Sequence, residues 1–61
     1  MSDKEKLNKV LFAMLGNDNL VSGWWDSPNR HWEMQTPNHV WENSDEGRVE
    51  VIRYILNHAF R

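Results

Sequence analysis

The segment GWWDSPNRHWEMQTP, residues 23–37, carries three of the chain's four tryptophans and both of its prolines. Proline disfavours α conformation at the residue before it and has no N–H for a helix interior. The middle of the chain is therefore broken into short pieces. The bulkiest apolar side chains gather around that break instead of spreading along helices. They are either the middle of a very small core or a surface kept for a partner.

The flanks of the break are legible. Ser2 and Glu5 have the spacing of a capping box. Leu7, Val10, Leu11, Met14 and Leu15 then fall on one stripe of helical period, and Gly16 stands where a glycine ends a helix; this predicts a helix over about 3–15. Phe12 projects off the stripe as a candidate for a second contact. Asn17-Asp18-Asn19 is a turn and cap signal, followed by a short helix over about 19–25 with Leu20, Val21, Trp24 and Trp25 as its apolar positions. Gly23 weakens it by about 1 kcal/mol relative to alanine. Asp26 to Asn29 stops it.

Thr36-Pro37 starts a third helix, because threonine is a good N-cap and proline at the first helical position loses no hydrogen bond. It should run over about 37–42 with Val40 and Trp41 inward. Ser44 or Asp45 caps a fourth, over about 45–59, whose stripe reads Val49, Ile52, Leu56, Ala59 and Phe60, widened by Val51 and Ile55. Alternating strand patterns are absent. The expected fold is all-α: residues 1–61 form one small four-helix domain, two longer terminal helices flanking two short central ones.

Composition narrows the function classes. With 61 residues and no cysteine, the chain has no disulfide or thiolate metal site, and a reducing cytoplasmic setting is natural. No apolar run approaches the roughly 18 residues of a bilayer span, and MSDKEKLNK lacks the apolar stretch of a secretory signal. Residues 1–16 carry +1, residues 17–47 carry −5 and residues 48–61 carry +2. The tryptophan-rich centre is thus the acidic part. That suits a protein partner better than nucleic acid, whose stacking sites pair aromatics with basic grooves.

Catalytic and metal motifs are weak. His31, His39 and His58 form no i, i+4 pair and read as surface histidines. Asp45, Glu46 and Glu50 at the start of the last helix are explained by its macrodipole. Neither the serines nor the glycines stand in a nucleophile or phosphate-binding motif. No enzyme activity, cofactor or metal is expected.

The aromatic load is the remaining signal. Four tryptophans, two phenylalanines and a tyrosine are many for so small a core, since each tryptophan brings on the order of 200 Å² and an N–H wanting an acceptor. If two tryptophans are fully buried, Trp24 and Trp41 are the core pair. Trp25 and Trp32 then stand at the outer wall of the central turn, flanked by Arg and acids in the composition of an interface hot spot.

The run WWDSPNRHWEMQTPNHVWE resembles the toxin-binding domain at the C-terminus of MbcA/ParS/Xre-type antitoxins. The matching residues are Gly16, Trp24 and Trp25, Pro28 and Asn29, Thr36 and Pro37, Val40 and Trp41, then Gly47 and Arg48, and the likeness spans about 7–60. It implies a helical module that binds a toxin of the RES class, an NAD-destroying enzyme, and blocks its active site. No helix-turn-helix module accompanies it, so autoregulation by DNA binding is not implied. Trp32 and Met34 replace the small residue the family commonly has before Thr-Pro. Solitary domains of this kind look like small phage-encoded proteins, which would inhibit a host enzyme.

The function expected is a protein-interaction module that binds and inhibits a partner enzyme, a toxin or a host protein. Its contact residues are Trp25, Asn29, Arg30, Trp32 and Met34, with Arg53, Phe60 and Arg61 as a second set. The alternative is a small self-associating phage accessory protein, a homodimer whose tryptophans bury between copies.

Overall fold

The computed structural model describes residues 3–60. Ser2, the expected first cap, and Arg61, an expected contact residue, lie outside them. Four helices follow in order: α1 (Asp3–Leu15), α2 (Asp18–Asp26), α3 (Pro37–Asn43) and α4 (Asp45–Ala59), with a single 3₁₀ turn at Arg30–Trp32 between α2 and α3. The fold is all-α, with the longer helices at the two ends. Each boundary lies within about one residue of its expected position.

Local chemistry accounts for the boundaries. Gly16 ends α1 at φ 92°, and its N–H donates to the Phe12 carbonyl at 2.8 Å, the single backbone bond of a left-handed helix stop. Asn17 Oδ1 accepts from the Leu20 N–H at 2.8 Å and starts α2. Thr36 Oγ1 accepts from His39 N–H at 3.1 Å, with Pro37 in the first turn of α3. Ser44 ends α3 and caps α4, its Oγ accepting from the Gly47 N–H at 3.0 Å. One residue therefore makes the whole corner between two helices.

Each helix packs on its chain neighbour, α2 also reaches α3 across the 3₁₀ turn, and α4 returns onto α1 to close a ring. The core inside that ring is Leu7 and Leu11 from α1, Val21 and Trp25 from α2, Trp32 from the 3₁₀ turn, Val40 and Trp41 from α3, and Val51 and Ile55 from α4. Burial of such side chains, at roughly 1.5–3 kcal/mol each, is what holds the ring together.

Two packing expectations are corrected. The inward face of α4 is Gly47, Val51 and Ile55, whereas Val49, Leu56 and Phe60 are exposed. Gly47 decides this. A Cβ built on it would stand 2.0 Å from the Val40 carbonyl oxygen, so only a residue without one lets α4 approach α3 so closely. Val51 and Ile55 follow at i+4 and i+8 on the same face. On α1 and α2, Met14 and Leu20 are also exposed, and Phe12, a candidate for a second contact, is 47% exposed.

The tryptophans are the second correction. Trp25 is 4% exposed and Trp32 is 9% exposed, so both belong to the core with Trp41, and neither offers a free face to a partner. Trp24, expected inside, is the partly buried one. Trp25 follows Val21 by four residues and shares its inward face. Its indole N–H, the group that resists burial, donates to Asn8 Oδ1 at 2.6 Å. Edge-on contacts to Trp24 and Trp41, with ring centroids 5.1 and 5.6 Å away, complete its cage.

Candidate functional site

The chain between α2 and α3 closes on itself before it reaches Pro37. Asn29 N–H donates to the Gln35 carbonyl at 3.0 Å, and the Asn29 carbonyl accepts from Trp32 N–H at 3.0 Å and from Met34 N–H at 2.9 Å. Asn29 Oδ1 accepts from His31 N–H at 2.9 Å. Asn29, expected to touch a partner, is thus the knot of the loop, with its side chain turned to its own backbone.

The tip of the loop is strained. Glu33 and Met34 have φ of 54° and 68°, and the Gln35 N–H donates to the Trp32 carbonyl at 3.0 Å. Two successive positive φ values inside such a bond define the turn in which Asn-Gly is favoured. Here Glu and Met occupy it. Met34 is 60% exposed at its crest. The turn is held from below by Trp32, whose ring lies 5.0 Å from Tyr54 and 6.3 Å from Trp24.

Tyr54 joins the loop to α4. It stacks on Trp24 at 6.1 Å, touches His31 at 4.7 Å and touches His58 at 4.2 Å, where His58 Nδ1 is 2.8 Å from the Tyr54 carbonyl. His31, Arg53, Tyr54 and His58, with Glu50 and Asn57, line one shallow depression of about 240 Å³. The two expected contact sets therefore partly converge: Arg53 on α4 and the loop that carries Arg30 and Met34 meet around Tyr54. Arg30 and Arg53 are both exposed. Tyr54, His31 and His58 were not singled out by sequence as a site. The signal available was the i, i+4 spacing of Tyr54 and His58, which says nothing about His31.

Phe60 belongs elsewhere. It is 76% exposed and lies with Met14, Ala13 and Val10 in a depression of about 400 Å³ between the ends of α1 and α4. Val10 also borders a second one, of about 240 Å³, with Leu7, Ile52 and Leu56. Together they make an apolar groove along the α1–α4 seam.

Among the described residues no group of three or more His, Asp or Glu is placed to hold a metal ion, and no helix is long and apolar enough to cross a membrane. Comparison with protein-family models, curated proteins and solved structures finds no match to this chain.

Proposed function

We propose that this chain is a protein-interaction module that binds a partner enzyme in the cytoplasm and inhibits it, in the manner of the antitoxin domains its sequence resembles. The observation that carries the reading is the loop tip. A solvent-exposed methionine sits at φ 68° beside a glutamate at φ 54°, where a conformation of this kind costs about 1–2 kcal/mol per non-glycine residue. The fold gains little packing from Met34 there, because it is 60% exposed. An apolar, adaptable side chain kept at a strained crest suits contact with another molecule. Arg30, in the same loop, and Arg53, which lines the depression with His31 and Tyr54, are both exposed and supply planar donors for carboxylates on the partner.

Co-expression with RES-class NAD-degrading toxins tests the proposal. The chain should restore cellular NAD and growth against its cognate toxin and co-elute with it as a complex. The Met34→Glu/Arg53→Glu variant should lose both effects while keeping its helical circular dichroism. Failure of the unmodified chain to protect against any such toxin would remove the antitoxin reading. Equal protection by the variant would remove the loop as the contact surface.

A further inference from the structure

The α1–α4 face carries both halves of a fit. The two helices run side by side in the same direction: Leu7 and Val10 lie with Ile52 and Leu56, then Ala13 and Met14 with Ala59 and Phe60. One half of the face is a hollow of about 240 Å³ walled by Leu7, Val10, Ile52 and Leu56. At the other half Phe60 projects, 76% exposed, with Met14 at 42%. About six residues of chain separate Phe60 from the middle of the hollow, roughly 9 Å at 1.5 Å per residue. A two-fold axis standing on the face near Val10, which borders both depressions, exchanges its two ends. The Phe60 ring of each copy then lies over the hollow of the other, the self-complementarity that an isologous contact requires.

Area and charge favour the same occupant. The chain exposes 4520 Å² over a body of nearly equal extents, 26 × 24 × 21 Å, so one face holds about a sixth of it, roughly 750 Å². Two such faces laid together offer about 1,500 Å², inside the range of about 1,200–2,000 Å² that specific stable interfaces bury. The helices that form the face carry Asp3, Glu5, Asp45, Glu46 and Glu50 against Lys4, Lys6, Lys9, Arg48 and Arg53, which balance to zero. The whole net charge of −2 therefore falls on the rest of the chain. A strongly charged partner finds no opposite field on this face. A copy meeting it with its own α1 and α4 encounters no net like charge, whereas contact through the acidic centre sets like charges together.

We propose that the chain forms a two-fold dimer in solution through the α1–α4 face, with Phe60 of each copy seated in the other's hollow of Leu7, Val10, Ile52 and Leu56. The contact uses no residue of the Met34 loop and does not rest on the antitoxin reading.

Sedimentation equilibrium from about 1 μM to about 1 mM chain tests this. The mass should rise from one chain to two, with a Kd on the order of 10 μM. Phe60→Ala should weaken the dimer about thirtyfold. Leu56→Asp should leave a monomer with unchanged helical circular dichroism, because both side chains are exposed in the single chain. Leu20→Asp, on the exposed side of α2, should leave the dimer intact. In a mixture of labelled and unlabelled chain, NMR should show contacts between copies from the Phe60 ring to the Leu7 and Ile52 methyls. A chain still monomeric at about 1 mM would overturn the proposal. So would a dimer that survives both Phe60→Ala and Leu56→Asp, one that Leu20→Asp dissociates, or contacts between copies centred on residues 30–35.

Discussion

Replacing Glu33-Met34 by Asn-Gly should make the protein more stable while removing the side chain assigned to partner contact. Both residues occupy left-handed backbone, at φ 54° and 68°, where an L-residue with a Cβ is held about 1–2 kcal/mol above its preferred conformations. Asparagine tolerates this region several-fold better than most residues, so Glu33→Asn should recover about 0.5 kcal/mol. Met34→Gly removes the steric cost but makes the unfolded chain more flexible, which takes back about 0.4–1 kcal/mol. Little packing is lost, because Met34 is 60% exposed. The net gain is about 1–1.5 kcal/mol. At about 2.1 cal/mol/K per residue, a chain of 61 residues unfolds with an entropy near 0.13 kcal/mol/K, so Tm should rise by about 8–12 °C. A calorimetric or circular-dichroism melt reads this directly. An unchanged or lower Tm would refute the strained-turn argument, and with it the reason for assigning Met34 to a partner.

The glycines supply a pair of opposite signs. Gly47→Ala should destabilise by more than about 2 kcal/mol, because its Cβ would stand 2.0 Å from the Val40 carbonyl oxygen and must force α3 and α4 apart. Gly23→Ala, in α2 with nothing within 4 Å of the new methyl, should stabilise by about 1 kcal/mol in a denaturant titration. Asn8→Ala should cost about 1–3 kcal/mol, since it strips the acceptor from the Trp25 indole N–H bonded at 2.6 Å. A urea melt within error of the parent protein would show that water replaces that bond.

The four helices were legible because their signals are local. Gly16, Asn17, Thr36-Pro37 and Ser44 each act on backbone within four residues. The faces were less legible. Helix α4 and its C-cap carry apolar residues at 49, 51, 52, 55, 56, 59 and 60, a band wide enough to admit two inward stripes. The choice between them lies in the approach of Gly47 to Val40, a contact between helices that periodicity does not contain. The tryptophans were misplaced for a related reason. The limit of two buried indoles weighed their area and their N–H groups against so small a core, but Asn8, 17 residues from Trp25, faces it only in the folded chain and supplies the acceptor. The 3₁₀ turn that carries Trp32 inward is closed by backbone bonds from Asn29, and no composition signal marks it.

A chain this short has little stability to spare. Foldable sequences tend towards agreement between local preference and global structure, and departures from it gather where something other than folding is being served. The caps, the corner at Ser44, the Gly47 contact and the bonded Trp25 all agree with the fold. Besides the exposed Phe12 and Leu20, the departures sit in two places. At the loop tip, glutamate and methionine hold a conformation suited to asparagine and glycine. Along the α1–α4 seam, Met14, Val49, Leu56 and Phe60 leave apolar surface in water although the same helices already fill the core.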